Sequence, residues 1–238
     1  MPDPAAITTM FSGIARRYDA ANDLLSGGLH RLWKRRLVRA AQPGPGRRLL
    51  DAATGTGDVA LALARAGADV VGVDLTKPML DIARARGAQE PGLHLTWREG
   101  DLSQLPDPDG TYDAITAAFG IRNVANPPVA LAELWRVLKP GGRLLVLEFG
   151  GWQTGPLPVR VFHRLASAFI PTIGGAVTGK PDAYRYLFQS STAFPAGQAF
   201  LPWLHALPGA EGVRAVPHVW GVAWRYEAQR AASGSGAG

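Results

Sequence analysis

The stretch Leu49-Leu50-Asp51-Ala52-Ala53-Thr54-Gly55-Thr56-Gly57-Asp58-Val59-Ala60 decides the fold of this chain. An apolar pair runs into an acid, then a loop of small residues, then an alanine- and leucine-rich run through Ala66. That order predicts a buried parallel strand, a tight turn and a helix start. Glycines at 55 and 57 allow a sharp turn and close approach of a ligand to the backbone. Further on, Val70-Val71-Gly72-Val73-Asp74 supplies a second strand ending in a carboxylate. Strand, loop, helix, strand and acid together form the nucleoside-binding half of a doubly wound α/β sheet.

Charge narrows the nucleoside. Gly55-x-Gly57-x-x-Ala60 fits a dinucleotide fingerprint, and a dinucleotide's phosphates sit at a helix N-terminus. Asp51 and Asp58 bracket that position, where they would repel phosphate and favour a cationic amino and sulfonium ligand such as S-adenosylmethionine. Asp74 suits either ligand, because a strand-end carboxylate accepts from both ribose hydroxyls. A purely structural turn, with Asp and Thr as helix caps, is the plain alternative.

The remainder of the chain supports an α/β reading. The 238 residues allow one sizeable core. At 47% hydrophobic and 18% charged they match a globular protein, and no apolar run approaches the roughly 20 residues of a membrane span. With no secretory signal in view and no cysteine, a cytoplasmic setting is expected. The five histidines show no metal-ligand spacing, so no metal is expected.

Nine Lys/Arg against three acids in residues 1–48 account for the whole net charge of +6. The basicity therefore belongs to an N-terminal helical arm, residues 1–42. Within it Leu29, Trp33, Leu37 and Ala40 fall at helical spacing, with Arg31, Lys34, Arg35 and Arg39 on other faces. Such a helix either packs on the core with a solvated charged face or makes transient contact with the inner face of an anionic membrane. No nucleic-acid recognition motif accompanies the charge.

Residues 43–230 make up the expected catalytic domain, with 231–238 a flexible tail. A helix is predicted over 78–86, a third strand over 93–97, and Asp101-Leu102 beyond it at the sheet edge where ligands bind. Asp101 there reaches the adenine region or serves as a turn acid. A fourth strand, 112–118, ends in Ala118 and runs into Phe119-Gly120-Ile121-Arg122-Asn123-Val124. Polar residues directly after a central strand are where chemistry is expected, although an ion pair for Arg122 and a cap for Asn123 are the structural readings. A helix over 128–138 and a fifth strand over 143–149 follow. Residues 151–197, rich in Pro, Gly and aromatics (Trp152, Phe162, Phe169, Tyr184, Tyr186, Phe188, Phe194), are placed to cover the open edge as a substrate lid, with plain core as the other reading of the aromatics. A helix over 199–205 and strands near 213–219 and 221–227 complete the sheet as an antiparallel pair.

A helix ending in Leu138-Lys139-Pro140-Gly141-Gly142-Arg143-Leu144 before that fifth strand is typical of class I methyltransferases. The fold class expected is thus α/β, Rossmann-like, with a mostly parallel seven-stranded sheet. The chain also resembles the C-methyltransferases of menaquinone and ubiquinone biosynthesis. The resemblance rests on Met10-Phe11-Ser12-Gly13-Ile14-Ala15-Arg16-Arg17-Tyr18-Asp19 with Asn22, on Gly28-Leu29-His30-Arg31-Leu32-Trp33, on the 51–58 loop, and on the 119–124 run. It rests too on 136–142, Leu147-Glu148-Phe149, and Tyr184-Arg185-Tyr186-Leu187 with Phe194-Pro195. Two departures stand out: Ala53 replaces the first glycine of the general methyltransferase loop, and Ala118 stands where some members carry a cofactor-contacting serine.

The resemblance implies methyl transfer from S-adenosylmethionine to a ring carbon of a reduced, isoprenylated demethylated quinone. It carries cofactor contacts to Thr56, Asp74, Asp101 and Leu102, beside the loop residues Asp51, Gly55 and Gly57 and the strand-end Ala118. Arg122, Asn123 and Tyr18 are the candidate catalytic residues. Arg122 would stabilise a developing oxyanion, Asn123 would orient the ring or a water, and Tyr18 would complete the pocket. No general base stands out; His163 and Glu148 are unsupported candidates. Another small-molecule acceptor, or a nicotinamide-binding reductase, are the remaining readings.

Overall fold

Seven strands lie side by side in the order β3-β2-β1-β4-β5-β7-β6 in a computed structural model that describes residues 8–13, 15, 23, 26–150, 157, 160, 161, 164, 172, 179 and 181–232. The strands are β1 (Arg48–Ala52), β2 (Asp69–Asp74), β3 (Leu95–Glu99), β4 (Tyr112–Ala118), β5 (Leu138–Phe149), β6 (Ala210–His218) and β7 (Ala223–Arg230). The first five are parallel, and β7 enters antiparallel between β5 and β6. Reversal of strand order between β1 and β4 opens a crevice at their carboxyl ends, where such sheets bind ligands.

The helices are α1 (Leu29–Ala41), α2 (Asp58–Arg65), α3 (Lys77–Gly87), α4 (Pro127–Val137), α5 (Pro181–Ala193) and α6 (Leu201–His205). They cover both faces, as a parallel sheet requires. Alternation along the strands sorts the core into two layers. Leu50, Ile115 and Val146 pack with Leu131, Leu134 and Leu204 on one face. Leu49, Ala114, Leu145 and Leu147 pack with Trp33, Leu37, Val59 and Leu63 on the other.

Helix α1 is thus part of the core. The expected apolar stripe is corrected by one position at each end: the buried residues are His30, Trp33, Leu37 and Ala41. Leu29 is exposed and Ala40 only half-buried. His30 enters as a neutral ring, since burial pulls its pKa down to about 4 and Ser26 Oγ lies 2.7 Å from Nδ1. Lys34, expected on the charged face, instead turns inward to Asp58. Strand β5 also starts earlier than expected: Leu138 pairs with Tyr112 before a register shift brings Arg143 opposite Ala114. Phe194, assigned to the lid, packs edge-on to Trp203 beside Phe200. Of the other lid aromatics, Trp152, Phe162 and Phe169 and the Tyr184 side chain lie outside the described residues, as do Tyr18 and His163.

Candidate active site

The loop after β1 is held from below by two carboxylates. Asp51 is paired in register with Thr116 of β4. Its oxygens accept from Thr116 Oγ1 at 2.7 Å and Thr54 Oγ1 at 2.6 Å. Burial pushes its pKa up to about 6, against those hydroxyl bonds. At the tip of β2, Asp74 accepts from Gly55 N and Thr76 N, both at 2.8 Å. One N–H on each oxygen leaves lone pairs over for two further donors, as a ribose diol needs.

Backbone conformation sets the loop's shape. Ala53, Gly55 and Gly57 all have left-handed φ, of 52°, 57° and 85°. A Cβ built on Gly57 would come within 2.7 Å of the Trp97 ring, which roofs this turn from β3. One built on Gly55 meets nothing within 4 Å, so this part of the loop is open to a ligand. A Cβ on Gly120 would overlap that of Ala53. The turn after β4 therefore presses directly on the cofactor loop, and glycine at 120 lets it.

One expectation is corrected here: neither Asp51 nor Asp58 presents an open charge. Asp51 is only 1% exposed. Asp58 lies between Lys34 Nζ at 2.9 Å and Arg86 NH2 at 2.6 Å. Burial opposes ionisation of Asp58, yet the two cations hold its pKa down to about 2. Arg86 NH1 also donates to Thr56 O at 2.9 Å, so α3 clamps the loop. Repulsion of phosphate by Asp58 is thus cancelled; Asp51 acts on a ligand only through its field. Asp101 closes a turn by accepting from Ser103 N at 2.8 Å, with Leu102 buried beside it.

Across the crevice, residues 119–123 form a tight turn with Phe119 at φ 59°. Arg122 is buried and its NH1 donates to Glu148 Oε2 at 2.6 Å and to Phe119 O at 2.7 Å. Arg122 N completes the pair on Glu148 Oε1 at 3.2 Å. Glu148 is wholly buried. Burial pushes its carboxyl up, and the Arg122 guanidinium opposes this. Both oxygens being engaged, Glu148 is corrected from candidate base to partner of Arg122. Among the described residues, Arg122 Nε and Asn123 Oδ1 are buried without a hydrogen-bond partner. A donor and an acceptor thus stand unspent on neighbouring residues. Phe119 stacks on Phe149 at 4.3 Å, with Trp33 at 6.0 Å from Phe149, giving this end of the crevice an aromatic wall.

A model of the ubiE/COQ5 methyltransferase family matches residues 3–224. The chain belongs to that family. It is 43% identical over 233 residues to the ubiquinone/menaquinone biosynthesis C-methyltransferase UbiE of Rubrivivax gelatinosus, covering 98% of this chain and 90% of the relative. It is 48% identical over 205 residues to the demethylmenaquinone methyltransferase of Thermus thermophilus, covering 85% and 90%. A solved S-adenosylmethionine-dependent methyltransferase of Methanococcus maripaludis, putative in function and 16% identical, shares the fold, with a TM-score of 0.62 over 93% of this chain and 94% of its own. The protein is a methyltransferase, and its fold is the one found in enzymes that use S-adenosylmethionine as methyl donor.

The residues present fit that donor. Gly55 opens the loop, Asp74 keeps lone pairs for the ribose, and Ala118, at the end of β4, is half-buried beside the 119–123 turn. Sequence reasoning missed Thr116, Lys34 and Arg86 as supports of this site. Thr116 carries no signal beyond its strand position; the two cations are distant in sequence from the acid they hold.

Proposed function

We propose that the protein transfers a methyl group to a ring carbon of a reduced, isoprenylated demethylated quinone, with demethylmenaquinol giving menaquinol. The observation that carries this reading is the unspent Arg122 Nε–H beside the unspent Asn123 Oδ1, at the carboxyl edge that also holds the cofactor loop. The names of the two relatives, a ubiquinone/menaquinone biosynthesis C-methyltransferase and a demethylmenaquinone methyltransferase, support a quinone acceptor.

When bound, S-adenosylmethionine supplies an electrophilic methyl on its sulfonium. The chain's own residues prepare the acceptor. A neutral quinol carbon is a weak nucleophile, and its phenolate a far stronger one, so the site must favour loss of the ring proton. Arg122 Nε–H donates to that ring oxygen, and the guanidinium stabilises the charge that develops there. Asn123 Oδ1 accepts from the second ring hydroxyl or from a water carrying the proton away. The Phe119–Phe149 wall excludes water from the ring and helps hold its carbon in line. Tyr18 is assigned to close the pocket.

The benzoquinol precursor of ubiquinone is the second reading, since the Rubrivivax gelatinosus relative is named for both ubiquinone and menaquinone biosynthesis. Incubating purified protein and S-adenosylmethionine with each reduced precursor, then weighing the products by mass spectrometry, separates the two. Methylated naphthoquinol alone supports the first reading, and methylated benzoquinol alone replaces it. Quinones from cells lacking the protein should accumulate the demethylated form.

A further inference from the structure

We infer that the carboxyl edge of the sheet docks on an anionic phospholipid bilayer through the β6–β7 hairpin tip and the first turns of α1. This rests on the isoprenylated acceptor proposed above, and names the surface by which the protein meets it. The hairpin tip lies at the catalytic edge: His218 pairs with Ala223, which pairs with Phe149 at the end of β5. Between His218 and Gly221 stand Val219 and Trp220, exposed to 41% and 70%. Both are non-glycine residues with left-handed φ, of 44° and 54°, which is strained for a branched or bulky side chain. Nothing among the described residues covers this large aromatic, which is held out in water on a strained tip. Trp at the boundary of an apolar phase is its preferred place.

Helix α1 continues this surface. Trp33 stacks on His218 at 6.3 Å and Arg36 NH1 lies 3.3 Å from His218 Nδ1. Leu29, Leu32 and Arg36 share one helical face at i, i+3 and i+7, and the two leucines are exposed to about 40%. The helix carries five cations and no acid. Of the nearby acids, Asp23 pairs with Arg31 and Asp58 with Lys34 and Arg86. Among the described residues no acid pairs with Arg35 or Arg36, so these two flank an apolar strip with positive charge, the combination that binds anionic lipid. Exposed apolar residues grouped at one edge mark such a contact.

The test uses the full chain and vesicles of phosphatidylcholine with or without phosphatidylglycerol. The double variant Val219→Asn, Trp220→Asn suits the left-handed backbone. It should lose about tenfold in affinity for the anionic vesicles, and turn over vesicle-embedded isoprenylated quinol more slowly. It should still methylate a tail-less quinol in solution as the parent does. Because the chain has no cysteine, a polarity-sensitive dye on Leu32→Cys reports the contact without removing the tryptophan. Its emission should shift with anionic vesicles, while the same dye on Glu211→Cys, at the opposite edge of the sheet, should not. Equal vesicle affinity of parent and variant, equal shifts at both dyes, no shift at either, or self-association through the tip in place of vesicle binding would each overturn the docking surface. Failure of the parent to methylate any quinol in solution would overturn the acceptor reading instead, and vesicle affinity is read independently of it.

Discussion

Two carboxylates are buried at the carboxyl ends of the strands that flank β4, and they are held in opposite ways. Asp51 of β1 shares the face of Leu49 and α1; Glu148 of β5 shares, by alternation, the face of Val146 and α4. Asp51 has two neutral hydroxyls for partners and titrates at about 6. Glu148 has a guanidinium at 2.6 Å. Neutral partners leave a buried acid free to change charge, whereas a cationic partner that is itself buried fixes it. Burial thus pushes both carboxyls up, opposed by hydroxyls at Asp51 on the cofactor side and by a contacting guanidinium at Glu148 on the acceptor side.

Breaking the pair should give the largest effect. Arg122→Gln leaves Glu148 buried without a counter-charge and should cost about 3–5 kcal/mol in urea unfolding. Its kcat should fall by roughly 10²–10³, as loss of one oxyanion donor does elsewhere, with little change in S-adenosylmethionine affinity. Raising the pH should partly restore kcat by ionising the quinol unaided. The double variant Arg122→Met, Glu148→Leu should regain stability while staying slow. If it regains activity as well, Arg122 is a structural residue only.

On the other side of the comparison, Asp74→Ala removes the acceptor of both Gly55 N and Thr76 N as well as that assigned to the ribose. Charge-assisted bonds of about 1.5–3 kcal/mol are at stake, so calorimetry should show S-adenosylmethionine affinity reduced at least roughly tenfold. Unchanged affinity in a folded variant would remove Asp74 from the ribose.

The pH contrast sharpens the comparison next. The folded pKa of Asp51, about 6, lies above its ordinary value of 3.8. Between those values the folded state holds a proton that the unfolded chain has lost, so stability falls as pH rises through the window and levels off above it. At full burial the effect is on the order of 3 kcal/mol at most. Asp58 runs the other way: its pKa near 2 adds stability that is lost as pH drops from about 4 towards 2. The stability difference between Asp51→Asn and parent should therefore change between pH 4 and 6 and be flat above, as read by thermal unfolding. Affinity for the cationic methyl donor should rise with pH up to about 6 in the parent and not in the variant.

What was legible in the sequence follows the same division. Strand β4 lies at the expected bounds, and the 51–58 turn and the strand-end Asp74 are where the pattern puts them, because short apolar runs punctuated by glycine are local signals. The family motif located Arg122 but not its partner, since the neighbour of Arg122 is fixed by the pairing of β5 beside β4. The α1 stripe differs at its start because histidine counts as polar in a hydrophobic pattern, yet His30 is buried and neutral. Asp51 and Asp58 read as open charges because, Thr54 apart, their partners come from β4, α1 and α3, and no spacing rule reaches that far.

The smallest expected effect concerns the link between the two regions, the clamp on Asp58. Arg86 ties the cofactor loop to α3 through Thr56 O and Asp58, while Lys34 ties the same acid to α1. Both cations are partly open to solvent, so screening discounts their worth to about 1 kcal/mol each. Arg86→Gln should loosen the loop without touching the acceptor side, raising the KM for S-adenosylmethionine roughly threefold to tenfold at unchanged kcat. Lys34→Gln should act more weakly on the same constant, because it holds only the helix start and makes no bond to the loop backbone. Both variants should unfold at nearly the parent's urea midpoint. A fall in kcat with KM unchanged would mean that the clamp reaches the acceptor through the Gly120–Ala53 contact, and the two halves of the site would then have to be treated as one unit.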